Sequence, residues 1–169
     1  MQNHFLFEEK QRFNQWWLYL LLLLMNGAII YAFITQIMLD KPFGNNPMSN
    51  LGLVILGLLL LLLSLFILSI RLKTRITEEG IFVQFFPFHL RYRQFKWNEL
   101  SKVYLRKYRP IAEYGGWGWR ISISGKGKAY NISGNIGLQL ELSNGKKLLI
   151  GTQQAEELKT IINNKIKIP

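Results

Sequence analysis

Two long uncharged apolar segments near the N-terminus constrain this chain more than any other feature. Residues 16–39 are interrupted by three polar side chains, Asn26, Thr35 and Gln36, and residues 51–70 are mostly leucine. A helix rises ~1.5 Å per residue and a bilayer core is ~30 Å thick, so each segment is long enough to span it. We therefore expect two transmembrane helices. A buried hairpin in a water-soluble protein is disfavoured, because too little chain remains to cover both helices.

The flanking sequences predict how these helices are oriented. Residues 40–50 are rich in Pro, Gly and Asn, which favour turns, and are expected to form a short external connector. Basic side chains precede the first helix and follow the second: Lys10, Arg12, Arg71, Lys73 and Arg75. Because basic residues concentrate on the cytoplasmic side, both termini are predicted to be cytoplasmic. Residues 1–15 are expected to form a cytoplasmic or interfacial segment, either as a short amphipathic helix or as an inward continuation of the first span.

Composition excludes several kinds of site. The chain has no cysteine, which rules out disulfides and thiolate chemistry. Its two histidines, His4 and His89, fall in different regions, so we expect no His-rich metal site and no cofactor. The net charge of +11 lies entirely after residue 70, because acidic and basic side chains balance before that point. The basic part of the chain is therefore residues 71–169, the expected cytoplasmic domain.

Residues 71–169 change from apolar runs to the two-residue alternation of β-strands. Residues 117–124 place Trp117, Trp119, Ile121 and Ile123 on one side. The turn Ser-Asn-Gly-Lys at 143–146 predicts a hairpin. The predicted strands are residues 74–77, 81–86, 89–95, 102–108, 117–124, 128–132, 138–142 and 147–150. We expect seven or eight strands, all antiparallel.

A single helix is predicted after these strands. Thr152 is a candidate N-cap, and Leu158, Ile161 and Ile162 form an apolar stripe at helical spacing. The expected fold class is a membrane-anchored α+β protein. It consists of a two-helix transmembrane hairpin followed by an antiparallel β-barrel or sandwich, with the C-terminal helix capping one end.

Several motifs in this order resemble those of a known family. Residues 77–103, from Thr-Glu-Glu-Gly-Ile to Trp-Asn-Glu-Leu-Ser-Lys-Val, are similar to the first half of the bacterial pleckstrin-homology-like (PH-like) membrane proteins. Residues 114–120, which contain Gly-Gly-Trp-Gly, together with residues 127–131 and 134–140, resemble a small uncharacterised family of that kind. The resemblance implies a PH-like barrel over residues 71–166. It implies no catalytic residues.

Basic residues next to the second helix suggest a membrane-facing surface. Arg71, Lys73 and Arg75 directly follow the apolar segment. Juxtamembrane basic residues attract the anionic inner leaflet, so these three are candidate contacts for lipid headgroups. The alternative is that they set the topology and otherwise lie on a solvated face.

A second group of residues is a candidate surface for binding a ligand or a partner. Its residues are Trp117, Trp119, Arg120, Arg91 and Arg93. Arg120 follows an aromatic pair on the opposite sheet face, where it can hold an acidic peptide or a phosphate. The alternatives are that Trp97, Trp117 and Trp119 pack in the core, and that Arg120 pairs with Glu113 or Glu141.

Other chemistries find less support in the sequence. The glycines at 115–118 and 125–127 invite a phosphate-loop interpretation, but strands are predicted on both sides, where such a loop requires a helix after it. No nucleic-acid motif accompanies the basic residues, and a membrane tether disfavours such a partner. No Ser, His and carboxylate set or carboxylate pair suggests catalysis.

Together these features predict a non-enzymatic binding or scaffold module held at the bacterial inner membrane as a multi-pass protein. Its expected partners are the lipid bilayer and an unknown membrane or cytoplasmic protein, and a homodimer is left open. The alternative is an accessory subunit of a membrane transport complex, acting through its helices. An enzyme is the third alternative.

Overall fold

The structure is a computed structural model that describes residues 5–122 and 125–166. The chain forms two compact units. One is the segment Asn14–Ser69, and the other combines the residues up to Phe13 with those from Ile70 onward. The predicted strand positions Ile123 and Ser124 lie outside the described residues.

The segment Asn14–Ser69 is a helical hairpin. Helix α1 covers Trp16–Phe33 and continues as a π-helical turn over Ile34–Met38, and α2 covers Asn50–Ser69. Both are long and apolar enough to cross a membrane, which agrees with the predicted boundaries to within one residue at each end. Only 11% of each apolar stretch is buried, so the fold leaves most of this surface uncovered.

Polar side chains join the two helices. Asn26 Nδ2 donates to Ser64 Oγ over 2.8 Å. Gln36 Nε2 donates to the Met48 carbonyl over 2.6 Å and to Asn50 Oδ1 over 2.8 Å. The two amides within the apolar segments are thus bonded inside the hairpin, where hydrogen bonds between helices stabilise packing in an apolar environment.

Four antiparallel strands form the first sheet, in the order β1-β2-β3-β4. They are β1 Phe7–Arg12, β2 Arg71–Ile76, β3 Gly80–Phe86 and β4 Arg93–Lys96. Strand β1 pairs with β2 along its whole length although the helical hairpin separates them in sequence. The expected helix or inward continuation of the span is therefore wrong for residues 7–12, which form a strand of the sheet.

Polar side chains on the inner face of β1 explain why its sequence does not look like a strand. Phe7 is buried, but so are Glu9 and Gln11, which alternate with it. Glu9 accepts hydrogen bonds from the Thr152 hydroxyl and from the Gln153 amide, each over 2.7 Å. Gln11 Nε2 donates to the carbonyl of residue 151 over 2.7 Å. These distant partners satisfy the Glu9 carboxylate and the Gln11 Nε2 group, which would otherwise be costly to bury, whereas Gln11 Oε1 has no partner among the described atoms.

Five strands form the second sheet, in the order β5-β8-β9-β7-β6. They are β5 Leu100–Lys107, β6 Gly118–Ile121, β7 Lys128–Asn131, β8 Ile136–Leu142 and β9 Lys147–Gly151. The hairpin predicted around residues 143–146 is confirmed. Strand β7 pairs with β9 in parallel, so the prediction that all pairs are antiparallel is wrong. The hairpin β8–β9 lies between β5 and β7, which places two strands of the same direction side by side.

The two sheets do not close into a barrel. No ladder joins a strand of the first sheet to a strand of the second within residues 5–122 and 125–166. The fold is α+β with two separate sheets, so of the two expected forms the closed barrel is wrong. Buried side chains of both sheets, of the residue after β7 and of the C-terminal helix form one core: Phe7, Leu72, Ile76, Ile81, Val83, Phe85, Tyr130, Ile132, Leu138, Leu140, Leu148, Ile150, Leu158 and Ile162.

Three short or terminal helices complete this unit. A 3-10 turn Trp97–Glu99 forms the predicted corner, α3 covers Pro110–Tyr114, and α4 covers Ala155–Ile166. The predicted stripe of α4 is confirmed, since Leu158 and Ile162 are buried. Thr152 lies before the helix rather than at its N-cap, and its hydroxyl accepts from the Gln154 amide over 3.1 Å.

The predicted strand 89–95 begins later than expected, at residue 93. The His89 amide donates to the Phe85 carbonyl over 2.8 Å, and Gln84 Nε2 donates to the Leu90 carbonyl over 2.7 Å. These bonds close a turn between β3 and β4. As a result His89 is buried, whereas Phe88 and Leu90 are exposed at the tip.

Candidate functional site

The outer face of β1 and β2 concentrates positive charge. Lys10 lies directly opposite Lys73, and Arg12 lies directly opposite Arg71. Alternation explains the arrangement, because Phe7, Glu9 and Gln11 turn inward and leave the basic residues of β1 outside. We call Lys10, Arg12, Arg71 and Lys73 the basic face.

The four cations of the basic face repel one another. Like charges directly opposite on neighbouring strands destabilise a sheet. Nearby Arg12, followed by partial desolvation and the charges of Lys73 and Arg71, lowers the pKa of Lys10. In the described part of the chain no carboxylate forms an ion pair with any of the four. This surface therefore favours an external anion, which would relieve the repulsion.

Arg71 is held in a defined position on the sheet. Its guanidinium lies 4.6 Å from the centre of the Phe86 ring, which holds the side chain against the sheet. Its Nε is enclosed and has no hydrogen-bond partner among the described atoms. Arginine binds phosphate and carboxylate oxygens in a forked geometry, so Arg12 and Arg71 are more specific donors for such groups than Lys10 and Lys73.

The structure separates the three predicted headgroup contacts. Arg71 and Lys73 lie on the basic face, whereas Arg75 is engaged elsewhere: its Nη2 lies 2.7 Å from Glu8 Oε1, and its guanidinium stacks on the Phe5 and Tyr92 rings. Lys10 and Arg12 complete the basic face. The sequence reading used these two only for orientation, although the alternation of residues 7–12 could have placed them on one face.

The second predicted surface is only partly brought together. Trp119 of β6 stacks on Phe88 with ring centres 5.8 Å apart, and Arg93 Nη1 donates to the Tyr130 hydroxyl over 3.3 Å. Arg91 is exposed in the turn before β4. Trp117 Nε1 donates to the carbonyl of residue 134 over 3.0 Å.

The core interpretation fails for two of the three tryptophans. Trp117 and Trp119 are 38% and 39% exposed, whereas Trp97 packs against the core and donates from Nε1 to the Thr77 carbonyl over 3.2 Å. Trp119 belongs to β6 and Trp117 immediately precedes it, and β6 is a terminal strand of the second sheet. Phe88 and Trp119 thus form an exposed aromatic pair.

Arg120 does not form either of the ion pairs that were considered. Its Nε donates to the Trp117 carbonyl over 2.9 Å. Glu113 instead pairs with Arg106 at 2.9 Å and with Lys126 at 3.2 Å, and these contacts and its bond from the Arg109 amide outweigh desolvation and lower its pKa. Both candidate acids thus have other partners, since Glu141 lies 3.9 Å from a lysine amine of β9.

The glycine-rich block is a turn, as the alternative to a phosphate loop predicts. Gly115 ends α3 in the left-handed conformation, with φ of 71°, and Gly118 begins β6. The chain therefore passes from helix to strand, the reverse of the order that points a helix N-terminus at phosphate. The Gly118 amide donates to Asn131 Oδ1 over 2.8 Å, which fixes the turn against β7.

Comparisons with known proteins leave the site to be judged on its own geometry. Neither the protein-family models nor the curated protein sequences contain a match to this chain. Across residues 5–122 and 125–166, no group of three or more His, Asp or Glu side chains is placed to hold a metal ion.

Proposed function

We propose that this chain is a membrane-tethered binding module whose basic face contacts anionic lipid headgroups at the inner leaflet of a bacterial cytoplasmic membrane. The observation that carries the proposal is the two cross-strand pairs of like charge, Lys10 opposite Lys73 and Arg12 opposite Arg71. Folding brings these charges together at a cost, and anionic phosphates of lipids are the counterions nearest to a membrane-anchored domain. The proposal assigns no catalytic step.

The chain itself limits how far the basic face lies from the apolar helices. Arg12 stands four positions before α1, and Arg71 stands two positions after α2. Four extended residues reach at most ~14 Å. The two residues from the end of α2 to Arg71 reach at most ~7 Å, which is within the Debye length of about 8–10 Å over which an anionic leaflet attracts basic residues.

Strand pairing supports a topology with both chain ends on one side of the membrane. Because β1 and β2 pair with each other, they must lie on the same side, and the helices between them must cross the bilayer an even number of times. The basic residues at both helix ends favour the cytoplasmic side. Residues 40–50 then form the external connector.

The order of elements supports a PH-like domain. A four-stranded antiparallel sheet is followed by a second sheet and a C-terminal helix that packs on the shared core. The parallel pair β7–β9 and the open side between the sheets depart from a regular barrel. In this proposal β1 belongs to the domain, although the anchor interrupts the chain after it.

The accessory-subunit alternative has less support from the helices. Asn26 and Gln36 bond within the hairpin, so their amide groups are already used. Intramembrane polar groups that bind substrate or a partner helix are expected to face a cavity or an interface. A protein partner would more readily use the exposed surfaces of the sheet domain.

The test compares two full-length variants with the same change in net charge. In the first, the basic face is neutralised as Lys10→Gln, Arg12→Gln, Arg71→Gln and Lys73→Gln. In the control, four exposed cations of β5 and α4 and the loop after β5 are neutralised as Lys102→Gln, Lys107→Gln, Arg109→Gln and Lys159→Gln. Each protein is reconstituted with spin-labelled phosphatidylglycerol or phosphatidylcholine, and the motionally restricted fraction of each lipid is measured.

We expect the unmodified chain and the control variant to retain phosphatidylglycerol in preference to phosphatidylcholine. We expect the basic-face variant to lose that preference at low salt. Equal retention of both lipids by the unmodified chain, or an equal loss of preference in both variants, would contradict the proposal.

A further inference from the structure

A groove separates β4 from the second sheet on the side where the sandwich is open. Its volume is about 460 Å³, within the range of sites that hold small ligands or short peptide segments. On one side stand Arg93 and Phe95 of β4. The opposite side is formed by β6, β7 and the β8–β9 hairpin, through Ile121, Lys128, Tyr130, Leu142, Lys146, Lys147 and Leu148.

The groove is positively charged. Four cations line it, Arg93, Lys128, Lys146 and Lys147, and no carboxylate is among the described lining residues. Glu141 lies outside the lining and approaches Lys147 at 3.9 Å. Burial, with added effects of Arg93 and Lys128, lowers the pKa of neighbouring His89, so the positive field reaches the adjoining turn.

The groove also has an apolar floor, and a terminal strand of each sheet borders it. Phe95, Tyr130 and Leu148 form the floor, and Ile121 is exposed at the rim. Strands β4 and β6 are terminal strands of their sheets, and each pairs with a single neighbour in the described part of the chain. An unpaired edge offers backbone donors and acceptors to an added strand.

We propose that this groove binds an extended acidic peptide segment of a partner protein, in which carboxylates alternate with apolar side chains. Apolar side chains enter the floor, carboxylates face the lysines and Arg93, and the peptide backbone bonds to a free strand edge. The cations stand on three separate strands and a turn, and none is buried, so they suit a ligand with spaced charges better than one compact anion. This site is separate from the basic face.

The experiment uses the full-length chain in detergent and a random octapeptide library displayed on phage. We expect the enriched peptides to be acidic with apolar residues at every second position. A synthetic enriched peptide is then titrated against the unmodified chain, against Lys128→Glu with Lys146→Glu, and against the control Lys102→Glu with Lys159→Glu. All four lysines are exposed, and thermal unfolding verifies that each variant is folded.

Reversing the two groove charges should weaken binding at least about tenfold, since each well-placed charge pair contributes on the order of a kcal/mol and reversal adds repulsion. The control pair should leave the affinity unchanged. N-methylation of alternate peptide amides should also weaken binding, because it removes the donors to a strand edge.

Three results would overturn the inference. The first is a library that yields no enriched peptides, or peptides without acidic and alternating character. The second is equal weakening by the groove and control variants, which indicates a nonspecific charge effect. The third is binding of inorganic phosphate or dihexanoyl phosphatidic acid that depends on Lys128 and Lys146 and excludes the peptide, which assigns the groove to a small anion.

Discussion

The pairing of β1 with β2 predicts that the helical hairpin can be removed without unfolding the sheet domain, provided that β1 is kept. Residues 14–69 form a unit of their own, and the strands on either side of them are neighbours in register. Replacing these residues by a Gly-Ser linker of about eight residues closes the strands into an ordinary hairpin. A shorter loop also lowers the entropy cost of bringing the strands together.

The same geometry predicts that a chain beginning at residue 70 is unstable. It loses the burial of Phe7, which contributes roughly 2–3 kcal/mol for a fully buried large side chain. It also leaves Thr152 and the carbonyl of residue 151 without the partners that Glu9 and Gln11 supply. Each lost bond to a buried group costs roughly 1–3 kcal/mol. The total is about 4–9 kcal/mol, comparable with the whole stability of many domains, about 5–15 kcal/mol.

The assay compares the linker protein with the same protein lacking residues 1–13. Circular dichroism during urea unfolding gives the free energy of each, and hydrogen exchange reports the protection of β2 amides. We expect a cooperative transition and protected β2 amides when β1 is present, and a molten or aggregated protein without it. Equal free energies of unfolding for the two proteins would refute the assignment of β1 to the core.

Three further predictions test other features of the fold. Burial raises the pKa of Glu9 above 4.5, so the contribution of Glu9 to stability should decline as pH rises from below 4.5 through the raised pKa. Glu9→Gln should remove that part of the pH dependence of urea unfolding. Parallel pH profiles for the unmodified protein and the variant would contradict this. In thermal unfolding, Gly127→Ala should destabilise the domain far more than Gly145→Ala. A β-carbon at Gly127 would lie 2.2 Å from a backbone carbonyl oxygen, whereas a β-carbon at Gly145 would have nothing within 4 Å. Equal losses of stability in the two variants would count against the packing of β7 on β9. In spheroplasts, Asn45→Cys should react with an impermeant maleimide added outside, and the label is read on the purified chain, which has no other cysteine. Reaction only after lysis would reverse the proposed orientation.

The sequence was most informative where the physical signal is local. The apolar helices follow from length and composition, and the β8–β9 hairpin follows from a four-residue turn between alternating strands. Leu158 and Ile162 of α4 show a helical period that burial confirms. Each of these features depends on residues a few positions apart, so one segment contains the whole signal.

The sequence was least informative where the fold depends on distant partners. The inner face of β1 is polar at Glu9 and Gln11, and the bonds that make this burial favourable come from residues more than 100 positions away. The parallel pairing of β7 with β9 likewise depends on the order of strands in space. Only Arg71 and Lys73 of the basic face were predicted as headgroup contacts. Lys10 and Arg12 were missed because the sequence did not show β1 to be the neighbour of β2.

The most direct test of the central claim is lysine accessibility in the full-length protein in lipid nanodiscs. The rates of acetylation of Lys10 and Lys73 by a neutral reagent are measured by mass spectrometry in neutral and in anionic lipid, with exposed Lys102 and Lys159 as internal references. If the basic face contacts headgroups, Lys10 and Lys73 will react more slowly in anionic lipid while the references change little. Equal relative rates in the two lipids would contradict the account.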